Sequence, residues 1–430
     1  MRHVILGAGP AGVSAAETIR KQQPDPEITL ISGEPEPPYS RMAIPYLLHG
    51  DIDEKGTYLR QSPSHYDDLA IKYQTGRVGA VDPEQQTVSL SGGDELAYDR
   101  LLIATGASPI MPQIDGLNLP GVHTCWTLAD AREILKYAER GSSVVLVGAG
   151  FIGSIVLEAL YARGCQLTVV EIAPRMVARM MDETAGGMLT QWCKAKGVDV
   201  RTDTRVEGVS QSGDGAAPLS VALSDATTVP ARLVVLAAGV RPNAGFLVGS
   251  NVLVRNGIRV DDFMHTSVPH VYAAGDCCEA IDLSTGAHDV LAIQPTAVEH
   301  GRLAALNMTG NRTPHHGSLN MNVLDTMGLI SSSFGLWQGA GGGDNATSVD
   351  NDSYRYIRLE FDGDRLVGAQ CVGMMEHIGL LRGMIQTGLR LGAWKDKLKA
   401  APERIGEAYV AVSQGVPSAG PTGPRVAVPA

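Results

Sequence analysis

Two stretches of this chain, "HVILGAGPAG" (His3–Gly12) and "VVLVGAGFIG" (Val144–Gly153), follow one pattern: an apolar run, G-x-G-x-x-G, then small and apolar residues. Few patterns restrict a fold more. The first glycine allows a tight strand-to-helix turn, the second lets backbone approach a pyrophosphate, and the third lets helix pack on strand. The helix N-terminus then offers free N–H groups to an anion. Gly7, Gly9 and Gly12, with Ala11 among them, read as one dinucleotide cradle. Gly148, Gly150 and Gly153, with Ile152, read as a second. A merely structural glycine-rich turn is the bland alternative, and the context of strand and helix argues against it.

An acidic residue follows each cradle by about 20 positions, where a carboxylate can accept hydrogen bonds from ribose hydroxyls. These are Glu34, after "EITLIS", and Glu171, after "QLTVV". Glu171 would repel the 2′-phosphate of NADP, so the second cradle favours NADH over NADPH. Arg175 and Arg179 lie close behind and could hold that phosphate instead.

At 430 residues the chain is too long for one core, and roughly three domains are expected. Its charge of −11, from 35 Lys+Arg against 46 Asp+Glu, gives no reason to expect nucleic acid or an anionic membrane as partner. No segment approaches the ~20 apolar residues of a membrane span, and the first apolar run is already a patterned strand; a cytoplasmic protein is expected. The six cysteines show neither metal-ligand spacing nor the density of a disulfide framework, so no metal site is expected and the thiols read as reduced, small apolar residues.

The first pattern opens a βαβ unit: a strand over residues 2–6, a helix over Val13–Lys21 and a strand over 27–34. The second repeats it with 143–150, a helix to about Arg163, and 166–171. Two further apolar strands end in small-residue turns, "RLLIATGASP" (100–109) and "RLVVLAAGVRPN" (232–243). A strand over 270–277 and a helix over 297–310 return the chain to the first core. From about Gly317 the texture becomes β-rich, and the Pro/Gly-rich residues 413–430 read as an extended tail. The fold class expected is α/β, with two Rossmann-like domains and a small α+β C-terminal domain. The boundaries are 1–112 with 241–314 for the discontinuous first domain, 113–240 for the inserted second, and 315–412 for the third.

Two cradles in one chain suit a flavin held permanently and a nicotinamide that visits. In this order of motifs, over about residues 1–310, the chain resembles the two-dinucleotide-binding-domain flavoproteins, the pyridine nucleotide-disulfide oxidoreductases. The resemblance implies FAD in the first cradle and NADH in the second. It places the turn at Ala104, Thr105 and Gly106 beside the FAD, with Val78 also in contact, and Gly239 on the nicotinamide side. It matches "VYAAGDC" to the second FAD motif, giving Gly275 and Asp276 the ribityl chain. Arg41, in "PYSR", matches a residue facing the FAD pyrophosphate, a surface salt bridge being the alternative.

What stands against the flavin divides that family. The segment "PPYSRMAIPYLLHG" (37–50) contains no cysteine, and Met42 occupies the place of the reactive thiol in relatives. A thioether cannot form the thiolate and mixed-disulfide species that thiol chemistry requires. The lysine of ferredoxin reductases is absent as well, and its glutamate partner is replaced by Ile155, with Glu158 one helical turn on. Pro45 and Tyr46 are candidates to wall the flavin, with core packing as the alternative. The adjacent Cys277 and Cys278 and the lone His300 are read as structural. No residue has an assured catalytic task.

The expectation is therefore an FAD-dependent NADH oxidoreductase without a redox-active disulfide. Hydride passes from NADH to flavin, and electrons go to a separate acceptor or arrive from a donor, such as a rubredoxin, ferredoxin or iron-sulfur subunit. The alternatives are an NADH oxidase producing hydrogen peroxide and a flavin-bound NADH-sensing interaction protein. The looser likeness of the C-terminal part to the third domain of such enzymes implies a homo-oligomer.

Overall fold

The computed structural model describes residues 1–414. The chain divides into two compact units, Met1–Asn320 with Leu324–Leu329, and Met321–Val323 with Ile330 onward. Residues 415–430 of the expected tail lie outside the described residues. Ser413 and Gln414 are not extended but close the last helix, where Ile405 and Ala408 are buried.

In the first unit, strand β1 (Arg2–Leu6), helix α1 (Pro10–Gln22) and strand β2 (Glu27–Ser32) follow one another. The helix begins three residues before the expected Val13, because Pro10 fits a helix's first turn, where its missing N–H is no loss. Helix α2 (Ile44–His49) and helix α3 (His65–Asp68) precede strand β3 (Ile71–Thr75). Strands β4 (Val78–Asp82), β5 (Thr87–Leu90) and β6 (Glu95–Ala97) form an antiparallel excursion before β7 (Arg100–Ile103) returns to the sheet. The segment 100–109 is a strand that ends in its small-residue turn at Ala104–Gly106, as expected, and β8 (Ala107–Pro109) then departs separately.

The second half repeats this plan. Strand β9 (Val122–Thr124) and helix α4 (Leu128–Tyr137) lead into β10 (Ser143–Val147), helix α5 (Phe151–Ala162) and β11 (Gln166–Val170). Helix α6 (Glu183–Ala195) and strand β12 (Asp199–Arg201) follow. An antiparallel excursion of β13 (Val206–Gln211), β14 (Leu219–Leu223) and β15 (Thr228–Ala231) precedes β16 (Leu233–Leu236) and β17 (Val240–Pro242).

The chain then adds β18 (Ile258–Arg259), β19 (Val271–Ala273), β20 (Cys278–Ile281), β21 (His288–Asp289) and helix α7 (Gln294–Met308). Strand β19 is shorter than the expected 270–277 because Gly275–Cys277 turns into a short 3-10 helix.

Two five-stranded parallel sheets result, ordered β19-β7-β1-β2-β3 and β12-β11-β10-β16-β9. Both are covered and read as continuous apolar runs, as parallel sheets do: Ile5, Leu30 and Leu102 are buried in one core, Val145, Val170 and Val234 in another. The antiparallel pair β8–β17 forms a two-stranded ribbon where the second sheet's segment enters and leaves, with Ala107 opposite Pro242.

The second unit carries most of an antiparallel sheet. Its strands are β22 (Met321–Thr326), β23 (Leu329–Gly335), β24 (Asp344–Asp350), β25 (Arg355–Asp362) and β26 (Arg365–Val372), ordered β22-β23-β26-β25-β24. Helices α8 (Ile378–Thr387), α9 (Trp394–Ala400) and α10 (Ile405–Gln414) follow, burying Leu381, Met384, Leu398 and Ile405.

Candidate functional site

Both glycine-rich turns sit where a central parallel strand hands over to a helix. Gly7 has φ +111°, and a Cβ there would stand 2.1 Å from the Ala104 carbonyl oxygen; on Gly12 it would stand 1.8 Å from the Gly7 oxygen. The second turn repeats this, with 2.5 Å from Gly148 to the Ala237 oxygen and 2.1 Å from Gly153 to the Gly148 oxygen. Four of the six glycines are thus required by the protein's own packing. Gly9 and Gly150 differ. Each is a helix N-cap in ordinary extended backbone, and a Cβ on either would meet no protein atom within 4 Å. Neither sterics nor φ asks for glycine there, so the requirement belongs to something that approaches the backbone from outside. A pyrophosphate at the helix N-terminus meets that description.

Ala11 and Gly12 are buried under helix α7, whose Gly301 brings backbone so close that a Cβ would fall 2.1 Å from the Ala11 oxygen. Gly275, at φ +76°, packs between Ala11 and Ala297. The turn at Gly275 and Asp276 is thereby held against the first glycine-rich turn. Beside it, burial lifts the Asp276 carboxyl to about 6 against the opposing pull of Arg41. Among the described residues its side chain has no hydrogen-bond partner beyond its own backbone. A covered carboxylate of this kind suits a hydroxyl-bearing ligand such as a ribityl chain. The turn at Ala104–Gly106 is fixed to Asn243: Thr105 Oγ1 donates to the Asn243 oxygen at 2.7 Å, and Asn243 Nδ2 donates to the Thr105 oxygen at 2.9 Å. Gly239 takes φ +107° at the matching turn of the second sheet. Val78 opens β4 and is partly buried against the first core.

The carboxylates past each cradle have protein partners in the structure. Glu34 accepts from Arg41 Nη2 at 2.5 Å and from the Tyr39 hydroxyl at 2.6 Å. Arg41 also donates to the Tyr39 hydroxyl at 2.9 Å and to the Trp126 carbonyl at 2.7 Å. Glu171 accepts from the Ala149 N–H at 2.6 Å and the Ala173 N–H at 2.8 Å, so it reaches back to the second residue of its own cradle. Arg175 folds onto the Met181 carbonyl, and Arg179 is exposed. Ile152 is partly buried one residue before Gly153.

Helix α2 buries Ile44 and Leu48 and turns Tyr46 outward, 58% exposed, with Pro45 half-buried, and Met42, in the short 3-10 turn Arg41–Ala43 that leads into it, is 45% exposed. No thiol stands near them in sequence, and all six cysteines are free and buried. Cys277 Sγ lies 3.4 Å from the Ile103 oxygen and Cys278 Sγ 3.2 Å from the Gly275 oxygen. Burial raises both thiols, Cys278 well above the ordinary range, which disfavours the thiolate that redox chemistry needs. Burial also raises Glu158, with the Asp325 charge adding to it.

Sequence reasoning missed Tyr39, Trp126 and Gly301. The first two precede or begin recognisable punctuation: Trp126 stands just before a capping box, Thr127 with Asp130, that starts α4.

Two nucleotide cradles on one α/β unit, and no accessible thiol beside them, define a two-nucleotide oxidoreductase. The chain belongs to the pyridine nucleotide-disulphide oxidoreductase family, whose model matches residues 1–301. It uses FAD and NADH. It is 33% identical to an NADH oxidase of Methanocaldococcus jannaschii over 75% of this chain and 73% of that one. It is 32% identical to rhodocoxin reductase of Rhodococcus erythropolis over 91% of each chain. Among solved structures it resembles the covalent putidaredoxin reductase–putidaredoxin complex, with TM-score 0.87, 25% identity, and coverage of 96% of this chain and 99% of that one. None of the described helices is long and apolar enough to cross a membrane.

Proposed function

We propose that the chain is an NADH-dependent reductase delivering electrons to a separate small redox protein, a ferredoxin, rubredoxin or iron-sulfur subunit. When bound, FAD supplies the electron chemistry, taking a hydride from NADH and releasing electrons to the second acceptor. The observation that carries this reading is the pair of free-standing cradle glycines, Gly9 and Gly150, together with six buried, unpaired thiols. The relatives that act on rhodocoxin and putidaredoxin, by their names, support a protein acceptor.

In this reading Gly7, Gly9, Ala11, Gly12, Glu34, Arg41, Val78, Ala104–Gly106, Gly275 and Asp276 hold FAD, and Gly148, Gly150, Ile152, Gly153, Glu171 and Gly239 hold NADH. Glu34 takes ribose hydroxyls by exchanging one of its present donors, and Arg41 compensates negative charge nearby. Glu171, already fixed by two N–H groups, presents a rigid negative group that disfavours a 2′-phosphate. Met42, in the turn before α2, and Pro45 and Tyr46, in its first turn, can flank the flavin ring without acid-base work. The FAD domain is 1–112 with 241–314, the NADH domain 113–240, and the C-terminal domain 315–412. By family resemblance the protein self-associates through the last of these, and it works in the cytoplasm, where thiols stay reduced.

The test is an anaerobic titration of the FAD-loaded protein with NADH and NADPH, followed by addition of ferredoxin or rubredoxin. NADH should bleach the flavin at far lower concentration than NADPH, and the carrier should restore its colour. A stable long-wavelength thiolate-to-flavin band, or bleaching reversed by oxygen alone as fast as by any carrier, overturns the reading.

A further inference from the structure

The NADH-binding segment joins the rest of its unit through the ribbon β8–β17, two strands of three residues each. Beyond that ribbon, orientation rests on the packing of α2 against α4 and α5 and on side-chain ties such as those of Arg132 to Glu36 and Glu54, and among these ties Trp126 reaches the ribbon itself. Its indole Nε1 donates to the Ala107 carbonyl at 2.9 Å, in the ribbon itself and next to Gly106. Its carbonyl accepts from Arg41 Nη1 at 2.7 Å, and the Arg41 guanidinium lies 5.4 Å from its ring centroid. Its own N–H donates to Asp130 Oδ2 at 3.0 Å, the carboxylate of the capping box that starts α4. Tyr39 adds a second tie two residues on, its hydroxyl accepting from the Leu128 N–H at 3.3 Å.

One side chain and its peptide thus link the ribbon, the first helix of the inserted segment, and the arginine that also grips Glu34. We infer that Trp126 is a positioning residue for hydride transfer, holding the NADH-binding segment in register with the FAD-binding one through Ala107 and Arg41. The inference rests on the proposed function. Hydride transfer depends on near-attack geometry, and a displacement of about 1 Å can cost about a hundredfold in rate. Loss of a tie at the ribbon should therefore slow the transfer step without emptying either nucleotide site.

The experiment uses the FAD-loaded full chain and two substitutions. Trp126→Phe keeps the ring beside Arg41 and the backbone carbonyl but removes the donor to Ala107. Tyr39→Phe leaves Trp126 intact and removes the Leu128 tie together with the hydroxyl's bonds to Glu34 and Arg41, so its limiting rate is read with excess FAD present, which keeps the test informative if the first variant folds poorly. Stopped-flow reduction by NADH under anaerobic conditions gives the limiting rate and the dissociation constant separately, with reduction by dithionite as the control that bypasses the NADH segment. The limiting rate should fall about tenfold in Trp126→Phe, and in the same direction in Tyr39→Phe. In Trp126→Phe, FAD content, dithionite reduction and NADH affinity should stay within about threefold of the parent, a split that plain destabilisation would not give. Limiting rates within twofold of the parent in both variants, or a rate loss that merely follows FAD loss, overturns the positioning role. If the parent itself is not bleached by NADH, the functional reading falls instead, and this inference with it.

Discussion

Gly9 and Gly12 stand three residues apart in one turn and answer to different demands. Gly12 is held by the fold, since a methyl group there would overlap the Gly7 oxygen, whereas Gly9 faces open space. Gly12→Ala should therefore lower thermal stability by several degrees even without cofactor, as overpacked sites cost about 1–3 kcal/mol. Gly9→Ala should leave the cofactor-free melting temperature within a degree or two and weaken FAD binding by tenfold or more. Differential scanning fluorimetry of apoprotein and a fluorescence titration with FAD separate the two, and equal melting losses in both would refute the distinction. At this scale spacing alone singles out the cradle glycines, Glu34 and Glu171 as candidates, whereas Asp276 is singled out only by the family resemblance. The partners of Arg41 were not readable, because its contact with Trp126 joins residues 85 positions apart, and only tertiary folding brings a guanidinium to that carbonyl.

Helix α7 shows how elements can be legible in kind and illegible in detail. An apolar pattern ending at Gly310 announces a helix, but the pattern does not reveal that Gly301 is its contact point with α1. There the backbones approach so closely that a Cβ would sit 2.1 Å from the Ala11 oxygen. Gly301→Ala should push α7 from α1, lowering the urea midpoint by an amount worth about 1–3 kcal/mol and loosening FAD, since Gly275 and Asp276 rest on the same contact. A variant with parental midpoint and FAD affinity would show that the helices can separate without consequence. The short strands β3, β9 and β12 were also missed in the sequence. Each is three to five residues long and lies at a sheet margin, where periodicity has too few positions to declare itself.

For the molecule as a whole, one buried cluster should make stability depend on acid. His300 and His315 stack edge to face at 4.7 Å, with Ser318 Oγ 3.0 Å from His315 Nε2 and 3.4 Å from His300 Nε2. Burial holds both imidazoles neutral, at about 3 for His300 and about 4 for His315. Their folded pKa values lie below the unfolded value near 6.5, so the unfolded chain binds more protons as pH falls. Stability present above pH 6.5 is lost from there downward, toward pH 4 for His315 and pH 3 for His300. At pH 5 the pair should cost about 4 kcal/mol relative to pH 7, at about 1.4 kcal/mol per pH unit for each group. Urea denaturation at the two pH values measures this, and His300→Gln should remove about half of the difference. An unchanged difference in that variant would mean the acid sensitivity comes from elsewhere.

The overall plan was the most legible level, because two repeated cradles imply two parallel sheets. What the repeat conceals is a permutation: the outer strand beside β16 is β9, made before its sheet's central strand, whereas the one beside β7 is β19, made far later. During synthesis the second sheet can close as soon as β16 leaves the ribosome, while the first must wait with an open margin along β7 for β19. The nucleotide-binding half that starts the chain is thus the later of the two to finish, and the inserted half matures inside a partner that is still incomplete.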